Sequence, residues 1–138
     1  MLPARALTRE EAGLDVLRLR EHWLQHGFGH WAVEERESGR FIGRAGIKRH
    51  PDWELDSENT EVGWLLDRAV WGQGLATEAA LAAIRVCREE LRRPEVISIA
   101  HPGNAASRRV MQKAGLALAG ARRWEARGLD VVWYSLRF

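Results

Sequence analysis

Two closely spaced glycines, Gly72 and Gly74, stand where a predicted buried strand (residues 60–66) is followed by a predicted long helix (residues 74–92). Glycine lets a backbone approach a bulky anion, and the unpaired N–H groups at a helix start attract negative charge. The expected donors are consecutive: Gln73, Gly74, Leu75, Ala76 and the hydroxyl-bearing Thr77. The spacing favours a phosphate-binding loop, although the same glycines would also fit a strand-to-helix turn without a ligand.

Two better-known phosphate motifs do not fit this loop. A Walker loop ends in Lys followed by Ser or Thr, and neither Gly72 nor Gly74 is followed by that pair. A dinucleotide-binding turn lies early in a β-α-β unit and has an acid about 20 residues further on. The ligand class therefore stays open at this level.

A second group of polar residues follows the predicted strand 96–100. Asn104 is well placed to cap a helix that ends at Gly115, and Ser107 and Arg108 lie in its first turn. Each residue has a plain structural role as well as a ligand role. Asn104 would serve as a cap, Ser107 as an ordinary helix serine and Arg108 as a solvated charge.

The remaining pattern predicts the elements that position these residues. A capping box at Thr8 opens a first helix that ends at Gly27, with Ala12, Val16, Leu19 and Trp23 as its apolar stripe. Strands are expected over residues 29–33, 41–48, 116–125 and 129–138, with a solvated loop over 50–59. This order predicts mixed α/β layers in which the helices after the third and fourth strands cover the sheet.

The seven tryptophans divide into two expected groups. Trp23, Trp31, Trp64 and Trp133 are predicted to fill the core, because indole rings bury a large apolar area. Trp53 and Trp71 lie in segments with turn chemistry and are predicted to line a ligand cleft.

Composition excludes several functions. The chain has 138 residues, which suits one domain, and a net charge of +2 is too small and evenly spread for a nucleic-acid surface. Cys87 is the sole cysteine, which predicts no disulfide and no cysteine metal site, and the histidines show no metal-ligand spacing. With no signal peptide and no apolar run of about 20 residues, we expect a cytoplasmic protein without a membrane partner.

Two sequence blocks resemble one known family. Residues 61–66 (EVGWLL) and 71–79 (WGQGLATEA) are similar to the acetyl-CoA signature of the GNAT superfamily, most of all to its ribosomal-protein alanine acetyltransferases. Residues 104–116 resemble the Asn, Ser, Val, Lys-x-Gly pattern of the same branch. The two blocks occur in the family's order, and the resemblance spans roughly residues 31–138.

The resemblance implies an α+β fold whose central, mostly antiparallel sheet contains a splayed parallel pair, residues 61–66 and 96–100. It places the pantetheine arm of acetyl-CoA between these strands, against the backbone of Leu65 and Leu66, and the pyrophosphate on residues 72–77. Asn104, Ser107 and Arg108 match the family's second CoA-contacting element. Metal is not expected.

In this family the amine attacks the thioester directly, so a proton must leave the ammonium and the departing thiolate must be stabilised. Ser107 matches the thiolate's proton donor. Glu61, acting through water, and Glu125, one place off the family's glutamate, are the two candidate bases, and either would also fit as a surface carboxylate. Positioning of the amine contributes independently of any base.

The expected function is transfer of acetyl from acetyl-CoA to a primary amine, either a protein N-terminal α-amine or a small-molecule amine. The alternative is a CoA-binding pseudoenzyme with a regulatory or scaffold role. The domain, residues 1–138, lacks the family's usual first strand and helix, which leaves a sheet edge uncovered and predicts a homodimer or a partner-supplied strand.

Overall fold

The computed structural model describes residues 6–138. Within them lie three α-helices, six strands and two short 3-10 turns, Arg68–Val70 and Glu125–Arg127. The regular elements, in chain order, are α1 Arg9–His26, β1 His30–Glu34, β2 Phe41–Lys48, β3 Glu61–Leu66, α2 Leu75–Glu89, β4 Glu95–Ala100, α3 Ala105–Lys113, β5 Ala117–Trp124 and β6 Leu129–Arg137.

The strands form one sheet in the order β1-β2-β3-β4-β6-β5. Four of its pairings are antiparallel, and β3 with β4 is the parallel one. The predicted fold class is therefore confirmed: a mostly antiparallel sheet with one parallel pair at its centre. That pair is also where the sheet opens.

The main core lies between the sheet and the two helices α2 and α3, as predicted. Helix α2 buries a stripe of small and medium side chains, Ala80, Ala83, Ile84 and Cys87. They pack with inward-facing side chains of the sheet, among them Trp64. Small residues let the helix approach the strands closely, and burial of a side chain such as Ile84 contributes roughly 1.5–3 kcal/mol. This packing fixes the start of α2 relative to β3.

Helix α1 is attached differently. Thr8 Oγ1 accepts from the Glu11 amide at 3.1 Å, so the predicted cap is confirmed. None of the helix's residues is buried, and Val16 is 63% exposed, so the expected apolar stripe does not form a core face. Polar contacts hold α1 instead: Trp23 Nε1 donates to the His30 carbonyl at 2.7 Å.

The tryptophan predictions are partly wrong. Trp64 is buried as expected, but Trp31 lies on the edge strand β1 and is 39% exposed. Trp53 is only 2% exposed and packs edge-on against Trp124, with 5.0 Å between ring centroids, so it does not line a cleft. The loop that carries it is accordingly not fully solvated, since His50 is buried there as well.

Candidate active site

Strands β3 and β4 meet at one register pair, Glu61 with Ile97, and then diverge. Beyond that pair, hydrogen bonds from side chains replace the backbone hydrogen bonds between the two strands. Ser98 Oγ donates to the Val62 carbonyl at 2.8 Å, and the Ile99 amide donates to Glu61 Oε2 at 3.1 Å. The last residues of β3 therefore have no strand partner on the side that faces β4. This is the splayed pair that the family resemblance predicted.

A cavity of about 460 Å³, the larger cavity, lies between the end of β3 and the starts of α2 and α3. Gly72 and Gly74 line it with φ values of 80° and 77°, a left-handed conformation that favours glycine. A Cβ on either glycine would meet no atom within 4 Å, so both face open space.

The start of α2 offers free N–H groups to this cavity. Gly74 is the N-cap and has no side chain to cap the first turn, whereas α1 and α3 are capped by Thr8 and Asn104. The amides of Leu75 and Ala76, both in residues that line the cavity, are thus left for a ligand. Thr77 also lines the wall, and Trp71 lies there as expected.

Helix α3 forms the opposite wall. Asn104 Oδ1 accepts from the Ser107 amide at 3.1 Å, which confirms the predicted cap. Both residues line the cavity, and Ser107 is 7% exposed. Arg109 and Lys113, which the sequence reading did not single out, add positive charge to the same wall.

Two predicted contacts lie away from the lining of the larger cavity. Arg108 donates from Nε to Tyr134 Oη at 3.1 Å and from Nη1 to the Pro102 carbonyl at 2.9 Å. Successive helical residues point about 100° apart, so when Ser107 and Arg109 face the cavity Arg108 need not do so. Gln73 is exposed in the loop and is also absent from the lining.

A smaller cavity of about 130 Å³ adjoins the larger one. The two meet at the gap between β3 and β4, because Trp64 and Leu65 line both. The larger cavity is further lined by Leu66. The titratable side chains around the smaller cavity come from distant parts of the chain and are His30, Arg44, Lys48, His50, Glu61, His101, Arg127 and Asp130.

Glu61 is held in the wall of the smaller cavity by a chain of hydrogen bonds. Its Oε1 lies 2.7 Å from His50 Nε2, and His50 Nδ1 lies 3.1 Å from Arg127 Nη2. A guanidinium can only donate, so His50 Nδ1 accepts and Nε2–H donates to Glu61. Asp52 in turn holds Arg127 through an ion pair of 2.9 Å. Glu61 thus keeps a fixed orientation at the mouth of the gap.

His30 occupies a similar arrangement on β1. Arg44 Nη1 lies 2.9 Å from His30 Nδ1, which must therefore accept, leaving the proton on Nε2. That Nε2 is buried and has no hydrogen-bond partner among residues 6–138. Burial, with the charges of Lys48 and Arg44, lowers the pKa of His30 from 6.5 to about 2, so the ring is neutral at physiological pH.

Glu125, the second candidate base, lies in the 3-10 turn after β5, where it is exposed and does not line either cavity. The sequence reading missed His50, Arg127, Arg44 and Lys48. One signal was available: Arg44 and Lys48 are four residues apart on a strand, which puts them on the same face.

Two further observations bear on the chemistry. Within the part of the chain that the structure describes, His, Cys, Asp and Glu side chains form no group of three or more able to hold a metal ion. None of the helices within residues 6–138 is both long enough and apolar enough to cross a bilayer.

Comparison with known proteins places these features in a family context. Residues 3–117 match the model of the acetyltransferase (GNAT) domain. The chain is 36% identical over 94 residues to the FsC-acetyl coenzyme A-N(2)-transacetylase of Aspergillus fumigatus, covering 65% of this chain. Its matches span only 39% to 52% of the length of the curated relatives.

Solved structures share the fold. An acetyltransferase from Agrobacterium tumefaciens superimposes with a TM-score of 0.79 at 26% identity, covering 96% of this chain and 74% of the other. The ribosomal-protein-S5-alanine acetyltransferase from Vibrio fischeri gives a TM-score of 0.73, with 99% and 77% covered. Its identity is 20%, a level that shows the fold alone.

Proposed function

Because the chain belongs to the GNAT acetyltransferase family, we propose that it transfers an acetyl group from acetyl-CoA to a primary amine. The observation that carries this proposal is the junction of the two cavities at Trp64 and Leu65. A donor held in the larger cavity could present its thioester at the junction, within reach of an amine in the smaller one.

The larger cavity has the features that CoA requires. The free N–H groups at the start of α2 and the open left-handed glycines suit a pyrophosphate. The phosphate contacts we assign are Gly72, Gly74, Leu75, Ala76 and Thr77, with Gln73 available at the rim. Arg109 and Lys113 would add charge, while Arg108 supports the site through Tyr134.

The gap between β3 and β4 suits the pantetheine arm. Its amides can pair with the free backbone edge at Leu65 and Leu66 as an added strand would. Asn104 borders the same space from α3. The sulfur would then lie near Ser107, whose hydroxyl has no hydrogen-bond partner within residues 6–138 and could protonate the departing thiolate.

Glu61 is the base we propose. Its carboxylate lines the smaller cavity beside the junction, and His50 fixes one of its oxygens. The carboxylate would accept the amine's proton directly or through a water. The ammonium proton passes to Glu61, the amine nitrogen attacks the thioester carbon, and the C–S bond breaks. The thiolate takes the Ser107 hydroxyl proton, which the second proton lost by the nitrogen replaces. Glu125, exposed in its turn, is the less suitable candidate.

Release of free thiol from acetyl-CoA tests the proposal. The purified chain is incubated with acetyl-CoA and a panel of small amines, aminoglycosides and peptides with free N-termini, and CoA affinity is measured separately by calorimetry. Amine-dependent thiol release supports acetyl transfer and shows which acceptor class is used. CoA binding without release from any acceptor would instead support the pseudoenzyme with a regulatory or scaffold role.

The assembly we propose is a homodimer. β1 is an edge strand of the sheet, and α1 beside it exposes Leu14, Leu17 and Leu24, the last at 78%. Exposed edges and apolar faces favour association with another copy. Sedimentation over a wide concentration range tests this, and a monomer at every concentration would contradict it.

The compartment we propose is the cytoplasm. Cys87 is free and buried, and burial raises the pKa of its thiol to about 12, so it is protonated and inert. A single unpaired cysteine is consistent with a reducing environment. Fractionation of cells that produce the protein tests the location.

A further inference from the structure

Arg44 and Lys48 place two positive charges on the same face of β2, both lining the smaller cavity. Like charges on one strand face repel each other, and burial of either raises the cost. Burial and the nearby Arg44 accordingly lower the pKa of Lys48. Negative charge in or around the cavity would offset the repulsion between these two cations.

Arg44 is compensated within the protein. Its Nη2 lies 3.5 Å from Asp15 Oδ2, and its Nη1 donates to His30. Lys48 has no ion pair and no hydrogen bond to its ammonium in the described part of the chain, although its side chain is partly buried. No carboxylate of the described residues is within ion-pair distance of its ammonium, and Glu61 and Asp15 act on its charge only from farther away.

Glu61 is the anion opposite Lys48 in the β2–β3 register, yet no ion pair joins the two. Both Glu61 oxygens point elsewhere, since Oε1 accepts from His50 and Oε2 accepts from the Ile99 amide. His50 Nδ1 accepts from Arg127, so its Nε2–H is the donor to Glu61. Among residues 6–138, Glu61 therefore pairs with His50 and with no lysine or arginine.

The other charged residues around this cavity are paired. Arg127 is held by Asp52 at 2.9 Å, and Asp130 by Arg123 at 3.1 Å. Within residues 6–138 the cavity therefore presents one ammonium without an ion pair, at Lys48, and one carboxylate without a lysine or arginine partner, at Glu61. Opposite residues of paired strands have Cβ atoms about 5 Å apart, so the two charges are close neighbours.

We propose that the acceptor is a small zwitterion: an amine that carries an anionic oxygen group a few carbons away, with its ammonium at Glu61 and its anion at Lys48. The inference rests on the proposed acetyl transfer and narrows its substrate class. The cavity volume of about 130 Å³ is similar to that of cavities that hold a benzene-sized molecule, so the group bound between these charges is small.

A matched acceptor series tests the proposal. Amino acids with terminal amine and carboxylate, two to five carbons long, are compared with n-alkylamines and α,ω-diamines of the same lengths in the thiol-release assay. We expect kcat/KM for the best amino acid to exceed that of its alkylamine by about tenfold or more, the usual range for a hydrogen bond to a charged group. Diamines should be the poorest, because Lys48 repels their second charge.

Lys48→Met should lower kcat/KM for the amino acids about tenfold, so that the ratio of amino acid to alkylamine falls to about one. Arg36→Met is the control: this arginine is exposed in the turn after β1, and its removal should leave the ratio unchanged. Equal use of all three acceptor classes by the unaltered protein, or a preference for diamines, would overturn the proposal.

A binding experiment decides the anion site without turnover. Lys48 and Lys113 are the only lysines in the sequence, so Lys113→Arg assigns the Lys48 side-chain NMR signal. Butanoate, which has no amine and cannot react, should shift that signal and raise the pKa of Lys48, whereas butylamine should not. No shift with butanoate would contradict the anion site. Absence of thiol release with every amine would count against acetyl transfer itself, and the butanoate titration would still decide the site.

Discussion

The larger and the smaller cavity adjoin each other but are built by different means. The larger one offers backbone groups to a ligand, at two glycines, the uncapped start of α2 and the free edge of β3, beside side chains such as Trp71 and Val110. The smaller one is formed by side chains, with the Arg127–His50–Glu61 chain on one side and Arg44, His30 and Lys48 on another. Backbone groups are present whatever the side chains are, so a backbone site suits a ligand common to many related proteins. Side chains change by substitution, so a side-chain site can be adapted to a particular acceptor.

The strongest test of this division is the charge of Glu61. Glu61→Gln keeps the shape and an oxygen for the Ile99 amide, but it loses the acceptor for His50 Nε2–H and cannot take a proton, so turnover should fall about 100-fold. CoA affinity, measured by calorimetry, should stay the same. Glu125→Gln is the comparison variant, and a larger loss there than in Glu61→Gln would move the role of base to Glu125.

The backbone site should respond to shape instead. Gly74→Val adds a side chain in the space assigned to the pyrophosphate and should weaken CoA binding about 30-fold, some 2 kcal/mol. Valine is also strained at φ 77°, so a matched control is needed. Gly27→Val supplies it, because Gly27 has φ 74° and open surroundings at the end of α1. Equal CoA affinity in both variants would contradict the assignment of the pyrophosphate to this loop.

Ser107 could act in binding or in the chemical step, because it lines the larger cavity and is also the proposed proton donor to the thiolate. Ser107→Ala should lower kcat about tenfold and leave CoA affinity nearly unchanged. Calorimetry and thiol release on the same preparation separate the two quantities. If CoA affinity and turnover fell by the same factor, Ser107 would be a ligand contact and not the proton donor to the thiolate.

Acid should affect the smaller cavity first, because it is the one made of titratable groups. His30 has a pKa of about 2 in the fold against 6.5 when unfolded, so the unfolded chain binds the extra proton as pH falls below 6.5. The free energy of unfolding should drop by about 1 kcal/mol between pH 6.5 and 5.5 through this residue. His30→Asn, whose amide oxygen can still accept from Arg44, should flatten that slope in urea titrations, and an unchanged slope would contradict it.

The same division explains what the sequence could predict. The loop at Gly72 and Gly74 and the cap at Asn104 are encoded within a few consecutive residues, because left-handed glycines and helix starts are local properties. The order of elements predicted mixed α/β layers, whereas the parallel pair in the sheet followed from the family resemblance. These parts of the fold and of the larger cavity were predictable from the residues that form them.

The smaller cavity could not be read in this way. His50 and Arg127 are 77 positions apart, and their contact depends on how the loop after β2 folds against the turn between β5 and β6. Trp53 was misplaced for the same reason: its neighbours suggest a solvated turn, yet Trp124 and Trp133 arrive from β5 and β6 to bury it. For α1, the periodicity of Val16 and Trp23 indicated a helix but not what covers it.

The gap between β3 and β4 leaves the centre of the sheet one strand short, with Glu61 and Ser98 closing only its base. The amides at the end of β3 that face β4 therefore have no strand partner and should exchange with solvent quickly in the free protein, whereas those that face β2 stay protected. A pantetheine arm bound there would act as the absent strand, so the ligand would complete the fold as well as supply the acetyl group. At 100 times its dissociation constant such a ligand would add about 2.7 kcal/mol to stability, so the melting temperature of this protein would rise with the concentration of that ligand.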